Sequence, residues 1–363
     1  MGKQKVKSTI IGSYPKPGYL IGDLTGRELL DSDYSFMDKR RDELGEETFN
    51  TLLDKACAEV IADQNESDID IITDGEQRRD HYIHYILKKL NGFDYQNMYE
   101  KVVKKSIKGN QKKTETQYVP RVISKIEYKY PFLIDDFNFL KSKTKKQVKI
   151  GLPGPTTVVD AVRNEYYKTD KELAFDYAKA VSKEVKALHQ TGCEIIQFDD
   201  PGLLRNLERA KDWGIEALDM CFAGVNSATI IVHVCRSYPN KQLEKLGIVY
   251  KADESYYPYL LDLLQNSRVD QISIEGKQGN LNPAVFEHAG DKTIILGCLD
   301  VGDEKVESVN EIVEQGVEAL AYLKPEQLVL GPDCGLLQIS REAAKGKLTN
   351  LAKAVEVLNK KNN

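Results

Sequence analysis

His233 and Cys235 are the residues of this chain whose types and spacing most directly offer chemistry. They close Ile231-Val232-His233-Val234-Cys235, an apolar run with the character of a buried strand. Strand residues two apart share a face, so imidazole and thiol project together. Both are ligand types that zinc prefers, but two ligands do not hold a metal. Two further donors end apolar runs downstream: Glu275 after Ile272-Ser273-Ile274, and Cys334 within Gly331-Pro332-Asp333-Cys334-Gly335. His233, Cys235, Glu275 and Cys334 make an N, S, O, S set suited to tetrahedral Zn²⁺. Two thiolates and a carboxylate leave such a site at a net charge of about −1, a poor Lewis acid for activating water. It suits a second thiol bound as thiolate, with the hard Glu275 carboxylate as the ligand to be displaced. Without a metal, the same residues read as a core Cys, a core His and an unrelated loop Cys. Glu76 and Asp199 also follow strand-like runs. They could bind an ammonium group, act as acid and base, or cap the next helices.

These positions need elements to hold them. Strand candidates lie at Ser8–Ile11, Asp70–Thr73, Val148–Leu152, Glu194–Phe198, Ile231–Cys235, Gln271–Ile274, Thr293–Gly297 and Gln327–Leu330. Helical spacing appears at 46–65, 79–91, 170–190, 202–224, 254–266, 283–288, 308–323 and 341–359. Strand-helix alternation predicts a parallel sheet, and eight units fit a single (β/α)₈ TIM barrel spanning residues 1–363. Ser13, Glu76, Asp199, His233, Cys235, Glu275, Asp300 and Cys334 would all fall at strand C-terminal ends, the face where barrel enzymes build their sites. Residues 93–147 interrupt the rhythm as a β-hairpin-like insertion. It carries Lys101, Lys104, Lys105, Lys108, Lys112 and Lys113 around Gly109-Asn110. Those lysines read as a solvated face or as a docking patch for an acidic partner.

Composition excludes several classes. The chain is 41% hydrophobic and 29% charged, ordinary for a globular enzyme. A net charge of −5 gives no case for nucleic-acid or membrane partners. No run approaches a membrane span, and Met1-Gly2-Lys3-Gln4-Lys5 lacks a signal-peptide core. Six cysteines without a CxxC pair fit a reduced, cytoplasmic protein.

Seven motifs, in order along nearly the whole chain, carry a resemblance to the catalytic barrel of cobalamin-independent methionine synthase. They are Ile10-Ile11-Gly12-Ser13-Tyr14-Pro15, Asp74-Gly75-Glu76-Gln77-Arg78, Gly154-Pro155-Thr156-Thr157, Ile196-Gln197-Phe198-Asp199-Asp200-Pro201, His233-Val234-Cys235, Ile272-Ser273-Ile274-Glu275 and Pro332-Asp333-Cys334-Gly335-Leu336. The resemblance implies zinc at His233, Cys235, Glu275 and Cys334. It implies homocysteine as methyl acceptor, with its ammonium at Glu76 and Asp199. Its carboxylate would meet backbone at Ile11 and Ser13 and the Ser13 hydroxyl.

Three departures accompany it. Full-length relatives carry a second, N-terminal barrel, whereas this sequence starts at the catalytic one, as in the short "core" type. The family's pterin-stacking Trp falls at Ala161, and the His that follows the seventh-strand Asp falls at Gly302. Methyltetrahydrofolate needs a proton at N5 as the methyl departs, whereas cob(I)alamin leaves without one. The expectation is therefore methylcobalamin as donor, presented by a corrinoid protein docked on the lysine-rich insertion. Alternatives are methyltetrahydrofolate as donor, a thiol alkyltransferase with another acceptor, or a non-catalytic zinc- or amino-acid-binding barrel.

Overall fold

The computed structural model describes residues 5–30, 34–107, 111–236, 252–279 and 281–361. Lys108 and Gly109-Asn110 lie outside them, as do Met1 to Gln4. The strands in chain order are β1 (Lys7–Ser8), β2 (Ile71–Ile72), β3 (Leu90–Ile107), β4 (Gln111–Tyr128), β5 (Gln147–Val148), β6 (Ile150–Pro153), β7 (Arg163–Asn164), β8 (Ile195–Asp199), β9 (Thr229–His233), β10 (Gln271–Ile274), β11 (Thr293–Leu299) and β12 (Leu328–Pro332). The helices that matter here are α1 (Glu46–Glu66), α2 (Pro155–Ala161), α3 (Asp170–Gln190), α4 (Val309–Leu320) and α5 (Arg341–Lys361).

One sheet has the order β1-β12-β11-β10-β9-β8-β6. A parallel bridge from Thr9 to Ile71 continues it from β1 to β2, and β2 pairs with β5. Only Lys149 separates β5 from β6 along the chain. The pairs β1·β12, β11·β12, β10·β11, β8·β9 and β2·β5 are all parallel. The α/β class of a curled parallel sheet of the (β/α)₈ kind is therefore as expected from the alternation.

Two compact units divide the chain: Met1–His81 with Asp135–Ile150 and Asp270–Asn363, and Tyr82–Ile134 with Gly151–Val269. In the first, β10, β11 and β12 run in register, with Ile274 beside Leu296 and Leu296 beside Leu330. Glu275 follows that shared level by one residue and Cys334 by four. Helix α4 starts at a capping box, Ser308 with Glu311. Helix α5 buries Leu348, Leu351 and Leu358 on one face and, unusually, the Lys347 ammonium. Lys347 Nζ donates to Glu307 Oε2 at 2.8 Å, and Asp300 N donates to the other Glu307 oxygen at 2.8 Å.

In the second unit, β8 and β9 pair so that Asp199 sits beside His233. Helix α3, capped by Thr169, packs its Leu173, Tyr177, Val181 and Leu188 face inward. The insertion is the expected hairpin, β3 paired antiparallel with β4, although it begins at Leu90 rather than 93.

Three expectations shift. Strand β9 ends at His233, so Cys235 lies two residues beyond it. Between 16 and 45, where the sequence offered no element, the chain forms helices at Gly18–Ile21, Gly26–Leu30 and Phe36–Leu44. Leu20, Leu29 and Met37 anchor them on Phe49 and Leu53 of α1, too few apolar positions to show a period. The helix expected over 202–224 is broken by a π-turn at Ala210–Gly214.

The buried Lys347–Glu307 pair gives a stability prediction. Lys347→Met should cost about 3–5 kcal/mol in urea unfolding, because it strands a buried carboxylate. Adding Glu307→Gln should recover part of that loss.

Candidate active site

The second unit supplies Asp199 and His233 as neighbours on parallel strands, both buried, with side chains on the same face. Gln197 Nε2 donates to Asp199 Oδ1 at 2.7 Å, fixing that carboxylate. The helix-capping role weighed for Asp199 is performed by its neighbour. Asp200 Oδ1 accepts from Thr156 Oγ1 at 2.6 Å and Thr157 N at 2.7 Å, at the start of α2. Gly154 is required there, because a Cβ would stand 2.2 Å from Asp200 Cβ. Burial pushes the Asp200 carboxyl up to about 6, against the pull of the threonine hydrogen bonds.

In the first unit the Asp74-Gly75-Glu76 turn is left-handed twice, with φ of +66° at Gly75 and +54° at Glu76. A non-glycine residue there costs roughly 1–3 kcal/mol and needs over-determination. Lys16 supplies it: its buried ammonium donates to Glu76 O at 2.6 Å and Gln77 O at 3.0 Å. Burial pulls that ammonium down to about 8. Asp74 Oδ1 accepts from Glu76 N at 3.0 Å. The turn aims the Glu76 carboxylate at Gly12, where a Cβ would meet Oε1 at 3.0 Å. Arg79 Nη1 donates to the same oxygen at 3.2 Å. Glu76 therefore lies against the backbone between Ile11 and Ser13, three of the four residues expected around an amino-acid substrate. Ser13 O in turn accepts from Leu336 N at 2.8 Å, tying this segment to the loop that carries Cys334.

His233, Cys235 and Cys334 each offer one ligand atom, and these atoms lie within 4.8 Å of one another. One imidazole and two thiols at such separations fit the donor set of a soft-ligand zinc site. Glu275, buried directly after β10, is not a member of that cluster. Cys298 is not a member either. Its thiol donates to Leu296 O, and burial holds it protonated well above the usual thiol range.

Sequence reading gave no role to Lys16, Asp200 or Asp333. Asp333 takes the main chain after Glu275: Gly276 N and Lys277 N each donate to Oδ1 at 2.9 Å, and Gln278 N donates to Oδ2 at 2.8 Å. All three residues sit inside or beside the motifs, but their partners are distant in sequence.

The family described as "Cobalamin-independent synthase, Catalytic domain" matches residues 7–357. The chain belongs to this family. It is 32% identical to a methionine synthase of Sulfolobus acidocaldarius over 354 residues, 97% of this chain and 91% of that one. It is also 32% identical to a methionine synthase of Saccharolobus solfataricus, over 97% and 94% of the two chains. A B12-independent methionine synthase from Shewanella sp. W3-18-1, solved with selenomethionine, superposes with a TM-score of 0.81 at 26% identity over 98% of both chains. The protein is a methyltransferase, as the sequence led us to expect.

The family overturns one expectation. Its synthases are cobalamin-independent, so methylcobalamin is not the donor, and a corrinoid protein docked on the insertion is without support. The error lay in reading a donor from two missing side chains. Ala161 ends α2, and Gly302 N donates to Asp300 Oδ1 at 2.9 Å; neither observation bears on the donor. Among the described residues, no helix is long and apolar enough to cross a membrane.

Asp200 gives a pH prediction. Its folded pKa lies above the unfolded value, so its contribution is complete below about pH 4 and is lost as pH rises through about 6. Between those limits wild type should lose about 2–3 kcal/mol relative to Asp200→Asn. Urea unfolding at pH 4, 5 and 6 checks this, and parallel pH profiles would contradict it.

Proposed function

We propose that this enzyme makes methionine by transferring a methyl group to the thiol of homocysteine at a zinc ion, from a folate-derived donor. The observation that carries the reading is the convergence of His233, Cys235 and Cys334, with Asp199 in register beside His233. These three residues would hold the zinc, with Glu275 as the hard, exchangeable fourth donor. When bound, zinc depresses the pKa of a thiol, so the acceptor is a thiolate near neutral pH. Glu76 and Asp199 would take the ammonium. The Ile11 and Ser13 backbone and the Ser13 hydroxyl would take the carboxylate. Arg79 and Gln197 keep the two acidic side chains oriented before substrate arrives.

The methionine synthase names of the relatives and the selenomethionine bound to the Shewanella protein support the amino-acid acceptor. They do not favour an alkyltransferase acting on another thiol. The cobalamin-independent family supports the folate donor. With Gly302 in place of an imidazole, another group must protonate the departing folate nitrogen.

The decisive assay supplies zinc-loaded protein with homocysteine and methyltetrahydrofolate and measures methionine. Formation of methionine is expected, and its absence would remove the folate donor. Asp199→Asn should raise the homocysteine KM roughly 10- to 100-fold, the scale of a lost charge-assisted hydrogen bond, while zinc stays stoichiometric. Loss of zinc in that variant would overturn the assigned role. Cys334→Ala should weaken zinc more than about 100-fold, beyond the effect of an outer-shell change. Undiminished zinc affinity would take Cys334 out of the ligand set.

A further inference from the structure

We infer that Asp333 is the positioning residue of the metal centre: it locks the main chain after Glu275 to the residue before Cys334. The inference rests on the zinc reading above. Three consecutive N–H groups, those of Gly276, Lys277 and Gln278, converge on its two carboxylate oxygens at 2.8 to 2.9 Å. Hydrogen bonds from neutral donors to a carboxylate are among the stronger ones in proteins, and this carboxylate is buried. Both oxygens are therefore engaged with main chain, and Asp333 is not in the ligand cluster. In the zinc reading Glu275 is the carboxylate that serves the metal, and Asp333 sets where the main chain after it stands.

The clamp is held from behind. Asp333 N donates to Leu299 O at 3.1 Å, which fixes the Cys334 loop on the end of β11. Gly297 on β11 leaves room for it, because a Cβ there would stand 2.2 Å from Asp333 Oδ1. The Gln278 side chain donates to Asp300, and Asp300 N donates to Glu307, the partner of Lys347 on α5. One connected set of hydrogen bonds thus runs from a buried lysine on α5 to the two ligand loops. It fixes the main chain that follows Glu275. A fixed backbone is what an exchangeable ligand needs, because the side chain can then leave and return without the loop moving.

The test separates positioning from plain stability. Asp333→Asn keeps one acceptor oxygen but sets an NH₂ against at least one of the three donors. Loaded with zinc, it should release the metal to a chelator about tenfold faster than wild type. With cobalt in place of zinc, its absorption bands should move toward those of Glu275→Gln. The double variant should release metal no faster than Glu275→Gln alone, because Asp333 acts through Glu275. Multiplicative effects in the double variant, or an unchanged rate in Asp333→Asn, would overturn the inference.

A measurement on unmutated protein guards against a misfolded variant. In zinc-free wild type, the amides of residues 276–278 should exchange slowly with deuterium. Exchange at open-loop rates until zinc is added would overturn the inference, since the metal would then be ordering the loop. A wild-type chain that takes up no zinc would instead overturn the zinc reading and the positioning role with it. Protected amides in that chain would show that the clamp itself stands.

Discussion

A buried carboxylate accepting main-chain N–H groups is the interaction on which this site depends, and the chain uses it twice. Asp200 takes the first residues of α2, and Asp333 takes the loop after β10. In each case the adjoining residue, Asp199 or Cys334, is a residue of the candidate site. In each case a glycine, Gly154 or Gly297, lies where a Cβ would collide with the aspartate. Neighbouring side chains point in different directions, so one can face the frame while the next faces the site. Leaving either carboxylate buried without its donors would cost several kcal/mol, which makes the frame stiff.

Stiffness matters because the residues to be placed are charged or readily ionised and are removed from water. His233, Cys235, Cys334, Glu275, Glu76 and Asp199 are all buried. Anionic groups held this way resist one another unless a cation or donors compensate them. Arg79 and Lys16 answer Glu76 and its strained turn, and Gln197 answers Asp199. A divalent metal would answer the thiols. Metal and substrate ammonium are thus the charges that complete the balance in the proposed reading, which makes affinity for both a property of the same frame.

The fold was legible because strand-helix alternation survives in single residues. The eight strand runs, the long helices at 46–66, 170–190 and 341–361, and the hairpin insertion were all visible as period and composition. The candidate residues were visible in the sequence because Asp199 and His233 end strands, and Glu275, Cys235 and Cys334 follow theirs within two residues. What supports them was not. Asp200 is 43 positions from Thr157, and Asp333 is 57 from Gly276, so no local pattern ties carboxylate to donor. Cys235 was placed inside a strand that in fact stops at His233, yet its thiol still reaches the cluster. The donor was misread for a related reason. A function was assigned to the absence of Trp at Ala161 and His at Gly302, whereas an absent side chain constrains chemistry only if no other element can reach the same place.

The register of β8 and β9 has a consequence for which amino acid fits. Adjacent parallel strands lie about 4.8 Å apart, and register partners place their side chains side by side. Asp199 and His233 are such partners, so in the proposed reading an ammonium at one and a thiol beside the other would be spanned by a single small molecule. The sheet fixes that separation, and side-chain rotation adjusts it only slightly in a packed interior. An acceptor one methylene shorter than homocysteine would have to give up either its ammonium contact or its place beside His233. Discrimination by a single methylene is ordinarily worth only about 1–3 kcal/mol. Here it would be sharpened, because the shorter molecule leaves a buried charge without its partner rather than merely leaving a gap. In the proposed reading, selectivity for the acceptor would thus follow from sheet register, which no single side chain can change.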